Sequence, residues 1–118
     1  MFRESLQKIV DNVQGGVAGL LMGFDGVAVE SYAPDPAWLD IQTIGMEFSY
    51  ILGQVRRAAE ILEVGGVREI AIKAEQLTIL MRVVSSDHFV ALALRPEGNL
   101  GKGRYLLRMV APTLAVAP

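Results

Sequence analysis

Trp38-Leu39-Asp40-Ile41, at the head of WLDIQTIGMEFSYILGQVRRAAEILEV (residues 38–64), opens the longest helical pattern in the chain. On a helical wheel Ile41, Ile44, Phe48, Ile51, Leu52, Val55, Ala59 and Leu62 form one broad stripe, the width a helix needs to face a core. A second apolar stripe of Leu39, Met46, Tyr50, Ile61 and Val64, with Gly53 beside it, lies nearly opposite. Two polar strips, Gln42/Ser49/Arg56/Glu60 and Asp40/Glu47/Gln54, separate the faces. A small domain covers one stripe, so the other asks for a partner. The alternative, a helix sandwiched inside a larger core, needs another layer for which so short a chain has little material.

The length of 118 residues corresponds to a single domain, 1–118, with one hydrophobic core. Apolar residues make up 52% and charged residues 20%, richer in core material than a usual soluble domain and in keeping with self-association. The net charge is −2 and the 11 basic residues are scattered, so no nucleic-acid partner is expected. Cysteine is absent, which removes disulfide frameworks and thiolate metal sites and makes the cytoplasm the expected location. The longest apolar run, Gly15 to Phe24, stops at Asp25, well short of the roughly 20 apolar residues that span a bilayer. Neither a secretory leader nor membrane insertion is expected.

Outward from the long helix, Phe2, Leu6, Ile9, Val10 and Val13 recur at helical spacing until Gly15-Gly16. Val17 to Phe24 shows little alternation and reads as a strand covered on both faces. Asp25-Gly26 signals a two-residue type I′ hairpin, and Val27 to Tyr32 is the return strand near a sheet edge. Ala33-Pro34-Asp35-Pro36 excludes helix interior and central strand, so it connects into the long helix, which Gly65-Gly66 closes. Val67 to Ala74, Leu77 to Val84 and His88 to Arg95 form a meander; the first alternates like an edge strand, and the others are apolar on both faces. Asn99 caps a final helix that Pro112 limits. The fold class is α/β in the α+β sense, a three-layer α/β/α sandwich ordered α-β-β-α-β-β-β-α. Its five-stranded antiparallel sheet carries the long helix on one face and the two terminal helices on the other.

Little chemistry accompanies this architecture. Gly98-Asn99-Leu100-Gly101-Lys102-Gly103 follows a strand and opens a helix, the setting of a phosphate cradle. Its spacing departs from a P-loop, with two residues before Gly101 and Gly103 in the place of the magnesium-binding hydroxyl. The expected role is a capped helix start with close packing at Gly101 and Gly103. His88 is the only histidine, and its neighbours Ser85-Ser86-Asp87 read as turn residues bonding locally. No catalytic residue, metal site or cofactor is assigned. A ligand cleft between helix and sheet, lined by Phe24, Phe48 and Phe89, is the alternative of a PAS-like or profilin-like sensor; such aromatics are more often core.

The element order, together with Gly19-Leu20-Leu21-Met22-Gly23-Phe24-Asp25-Gly26, the two-faced helix, Arg68-Glu69-Ile70-Ala71-Ile72 and Asn99-Leu100-Gly101, resembles the Roadblock (dynein light-chain) family, which includes bacterial MglB proteins. The resemblance covers essentially the whole chain. It implies homodimerisation through the long helix and third strand, and a non-enzymatic platform for small Ras-like GTPases. Ending soon after the last helix, the chain is expected to lack the C-terminal extension of longer bacterial members, which puts binding of the GTPase ahead of modulation of its nucleotide cycle as the expectation. The partner surface would comprise Leu39, Met46, Tyr50, Gln54 and Arg57. The dimer surface would comprise Gly45, Ser49 and Gly53 on the helix flanks and Glu69, Ala71 and Lys73 on the edge strand. Pairing about Ala71 sets Glu69 opposite Lys73 of a second copy.

Overall fold

The computed structural model describes residues 2–36 and 39–115. Its elements are α1 (Phe2–Asp11), β1 (Gly16–Gly23), β2 (Ala28–Tyr32), α2 (Ile41–Leu62), β3 (Glu69–Lys73), β4 (Thr78–Val83), β5 (His88–Leu94) and α3 (Leu100–Leu114). The strands form one antiparallel sheet in the order β2-β1-β5-β4-β3. Strands apolar on both faces take the centre, and the two that alternate take the edges, because only a central strand has both faces covered.

Two cores flank the sheet. Leu6, Ile9 and Val10 of α1 meet Leu107, Val110 and Leu114 of α3 over Leu21, Leu80, Val90 and Leu92. On the opposite face Ile41 and Leu52 of α2 join Leu20, Met22, Met81, Phe89 and Ala91. Each fully buried Leu, Met or Phe contributes about 1.5–3 kcal/mol relative to exposure. The long helix and the terminal pair therefore occupy opposite faces, as the patterning requires.

Several local features differ from the sequence expectation. At the first hairpin only Gly26 has positive φ (87°), and Asp25 does not. The Gly26 N–H bonds the Gly23 carbonyl and the Gly23 N–H bonds the Val27 carbonyl, both at 2.9 Å. This is a three-residue loop closed by a left-handed glycine rather than a type I′ turn. Asp25 Oδ1 accepts from the Val27 N–H at 3.0 Å, fastening the exit from the turn.

α2 is shorter than the 38–64 pattern. Asp40 is its N-cap, accepting from the Thr43 N–H (3.3 Å) and the Thr43 hydroxyl (2.8 Å). The same hydrogen bonds, the hydroxyl's first, hold the Asp40 carboxyl below its ordinary pKa. Leu39 thus precedes the helix, and the expected start at Trp38 lies outside the described residues. At the other end Glu63, not Gly65, takes the left-handed cap (φ 56°), and the Val64 N–H reaches back to the Ala59 carbonyl at 3.2 Å. Gly65 (φ 91°) follows the cap on the way to β3. Pro112 does not end α3, which runs to Leu114 because Ala111 and Leu114 keep the last turn seated in the core.

Candidate partner-binding surfaces

The buried line along α2 is Ile41, Gly45, Ser49, Leu52 and Ala59. It is rotated from the expected stripe toward the small residues. A Cβ on Gly45 would stand 2.2 Å from Leu20 Cδ2 and 3.1 Å from Met22 Cε, so the helix backbone itself rests on β1. Ser49 is buried beside it, its hydroxyl satisfied by donating to the Met46 carbonyl at 2.7 Å. Gly45 and Ser49 are therefore not a flank waiting for a twin helix, as the wheel suggested. They face the chain's own sheet, because a small residue is what close helix–sheet contact demands. Gly53 is different: it is exposed, with no atom within 4 Å of its Cβ position.

The rotation lifts Ile51 and Leu62 (69% exposed) out of the expected core stripe. With half-buried Ile44 and Val55 they make an apolar flank. The second stripe stays open as well: Met46 is 59% and Tyr50 70% exposed, and Ile61, Val64, Gln54 and Arg57 are exposed with them. Leu39 alone of the expected partner residues is half-buried, packed against the α2-side core.

β3 forms the edge of the sheet opposite β2. The Arg68 carbonyl accepts from Val83 N–H and the Ala74 N–H donates to the Leu77 carbonyl, both at 2.9 Å. Bonded pairs alternate in an antiparallel ladder, so Ile70 and Ile72 also bond toward β4. The N–H and C=O groups of Glu69, Ala71 and Lys73 consequently point away from the sheet. Ile70 and Ile72 place their side chains on the α2 side, whereas Glu69 lies on the α3 side. There one carboxylate oxygen accepts from Arg82 at 3.3 Å and the other from Arg104 of α3. The carboxylate expected to reach across to a partner's lysine is thus already engaged within the chain, by cations distant in sequence.

An open cleft of about 640 Å³ lies between the second half of α2 and residues 63–67, with Phe24, Arg56, Arg57, Glu60 and Glu63 among its walls. Phe48 and Phe89 do not line it. Phe89 is fully buried with its ring centroid 5.4 Å from that of Phe24, so the aromatic set is core rather than a ligand box. Arg56 closes part of the cleft, its guanidinium 3.9 Å above the Phe24 ring and bonded to the Ser86 carbonyl at 3.2 Å.

Other chemical candidates resolve into local structure. Asn99 caps α3 by accepting from Lys102 N–H at 3.0 Å; the Gly98, Asn99 and Gly103 amides bond the Arg95, Gln14 and Asn99 carbonyls. Those donors are used by the chain itself, which leaves a poor phosphate cradle. Gly103 packs closely, 3.0 Å from Leu92 Cδ2 for a built Cβ, whereas Gly101 meets nothing nearer than 3.7 Å. In the β4–β5 turn Ser85 Oγ accepts from Asp87 N–H at 3.3 Å. Among the described residues no three His, Asp or Glu side chains converge on a metal position, and no helix is long and apolar enough to cross a membrane.

A five-stranded antiparallel sheet, two terminal helices on one face and a long, outwardly apolar helix on the other define a Roadblock-type domain. No protein-family model matches the chain, and no curated protein sequence does. Among solved structures, MglC from Myxococcus xanthus is 42% identical over 97% of this chain and 96% of that one, with a TM-score of 0.69. A Roadblock/LC7 domain from Streptomyces avermitilis (16% identity, 95% and 92% covered) and Myxococcus xanthus MglB (11% identity, 96% and 90% covered) share the fold, each with a TM-score of 0.84. The chain belongs to the Roadblock/LC7 family, alongside the MglB and MglC proteins.

Proposed function

We propose that the chain is a non-enzymatic, cytoplasmic interaction module that pairs with a second copy and presents the outer stripe of α2 to a small Ras-like GTPase. The observation that carries this reading is that one chain holds two uncovered apolar surfaces on α2 and a bare edge at β3. The flank of Ile51, Val55 and Leu62 and the β3 edge suit a second copy. Met46, Tyr50, Gln54 and Arg57 then remain for the client, with Tyr50 and Arg57 of the types that dominate interface energies. Leu39, half-buried, plays a smaller part.

Antiparallel pairing about Ala71 uses the groups that point outward, those of Glu69, Ala71 and Lys73. Backbone hydrogen bonds hold such a pair; the side-chain contribution of Glu69 is reduced because Arg82 and Arg104 already occupy it. The choice of a GTPase as client follows the family likeness, and the chemistry-poor surface agrees with binding rather than turnover.

Two substitutions test the parts separately. Ala71→Pro removes an outward amide without touching the ladder to β4, a position where an edge strand tolerates proline. Light scattering should then report a folded chain of half the wild-type mass; an unchanged mass would refute pairing through β3. Tyr50→Ala with Met46→Arg should abolish capture of a Ras-like GTPase by the otherwise dimeric protein. Undiminished capture would remove the outer stripe of α2 as the client surface.

A further inference from the structure

A sheet with two open edges invites chain-to-chain growth from both. Here the edges are not equivalent. The outward groups of Glu69, Ala71 and Lys73 on β3 receive no side-chain hydrogen bond among the described contacts. On β2 the corresponding groups of Ser31 are both occupied: Glu30 Oε1 accepts from the Ser31 N–H at 3.0 Å, and Arg3 NH1 donates to the Ser31 carbonyl at 2.8 Å.

The carboxylate and guanidinium thus stand where an incoming strand would place its own C=O and N–H. The two also pair with each other at 3.9 Å, closing a ring over Ser31. Arg3 is steadied from below by the Tyr32 ring, whose centroid lies 5.4 Å from the guanidinium carbon. The Tyr32 hydroxyl in turn donates to the Asp11 carboxylate at 3.0 Å, so both ends of α1 are fastened to this strand. β2 has only five residues, and its register to β1 shifts between Leu21 and Met22. A bulge of this kind interrupts an edge and leaves Ser31 among the few positions able to template a neighbour.

We infer that the Arg3–Ser31–Glu30 clasp is an autoinhibitory contact that closes the β2 edge to strand addition by another copy of the chain. Assembly through sheet extension is then confined to β3 and stops at two copies. That stopping point rests on the β3 pairing proposed above; closure of β2 does not.

The test is light scattering across a wide range of protein concentration, with circular dichroism to establish that each variant is folded. Wild type holds one mass. The Arg3→Ala/Glu30→Ala double variant should associate further, its weight-average mass rising at least about twofold as sheets join edge to edge. Glu30→Gln keeps an oxygen acceptor for the Ser31 N–H and should retain the wild-type mass. Hydrogen exchange adds a local readout: the Ser31 amide should exchange faster in Glu30→Ala than in Glu30→Gln. In an Ala71→Pro background the double variant should still gain mass over Ala71→Pro alone, which separates the clasp from the β3 reading. A folded double variant that keeps the wild-type mass at every concentration overturns the inference, as does a Glu30→Gln chain that associates to the same extent as the double variant.

Discussion

The placement of α2 on the sheet can be tested by making one substitution at two positions of the same helix. Gly45 and Gly53 both lie within α2, so alanine at either gains the same intrinsic helix preference, about 0.8–1 kcal/mol. Their surroundings differ. At 45 the new methyl would meet Leu20 Cδ2 at 2.2 Å, Met22 Cε at 3.1 Å and Met22 Sδ at 3.2 Å; at 53 it meets nothing within 4 Å. Leu20 and Met22 are fully buried and cannot swing into solvent, so either the helix lifts or Leu20 leaves its rotamer. Overpacking of this kind costs about 1–3 kcal/mol. Because the propensity gain cancels between the two variants, their difference isolates that cost. Gly53→Ala should stabilise by about 0.5–1 kcal/mol, and Gly45→Ala should fall below Gly53→Ala by about 1–3 kcal/mol. Urea unfolding at one protein concentration, with unchanged m-values, reads the difference directly. Equal midpoints would refute the reasoning, since α2 would then not rest on β1 at Gly45. A gain for Gly53→Ala that appears only on dilution would place that position against a second copy.

Three further outcomes follow from single contacts. The Asp40 carboxyl is held below its ordinary value of 3.8, so its cap stabilises the fold above that pH and is lost as pH falls through the lowered folded value. Asp40→Asn keeps a capping oxygen and should flatten this part of the acid limb in thermal melts below about pH 4; an identical acid slope in both proteins would contradict the assignment. Glu69→Ala leaves Arg82 and Arg104 without their acceptor and should cost about 1–2 kcal/mol, the exposure of Arg104 tempering the loss; no change in the denaturation midpoint would show the bridge to be dispensable. Arg56→Ala removes the cation over Phe24 and the bond to Ser86. About 1 kcal/mol should be lost, with faster hydrogen exchange in the second half of α2; unaltered exchange there would mean that Arg56 does not fasten the helix.

The element order was legible because it is written in local spacing. The 3.6-residue recurrence in α1 and α2, the even apolar cover of β1, β4 and β5, and the alternation in β3 each follow from which faces of an element meet water. Asn99 before α3 and glycine at the first hairpin are short-range signals of the same kind, since a cap or turn involves residues three or four apart. The errors also have a local cause. Asp25-Gly26 implies two positive φ angles where the hydrogen bonding needs one, and Gly65-Gly66 is the local stop signal because intrinsic preference favours glycine, whereas the structure puts the left-handed cap at Glu63.

The surfaces were only half legible. A wheel ranks residues by hydrophobicity, so it leaned toward Ile51 and Leu62 and treated Gly45 and Ser49 as neutral flank. The sheet ranks them by how closely a backbone can approach, and Gly45 wins. Glu69 reads as an unpaired edge charge until α3 brings Arg104 across 35 positions of sequence, and Ser31 reads as an open edge residue until α1 brings Arg3 across 28. The amino-acid sequence by itself determined the elements, their order, the three layers and the surplus apolar surface of the long helix, because each is written in the spacing of neighbouring residues. Only the tertiary structure decided which side of α2 is spent on the core and which sheet edge stays open, because both depend on contacts between segments that meet after the chain has folded.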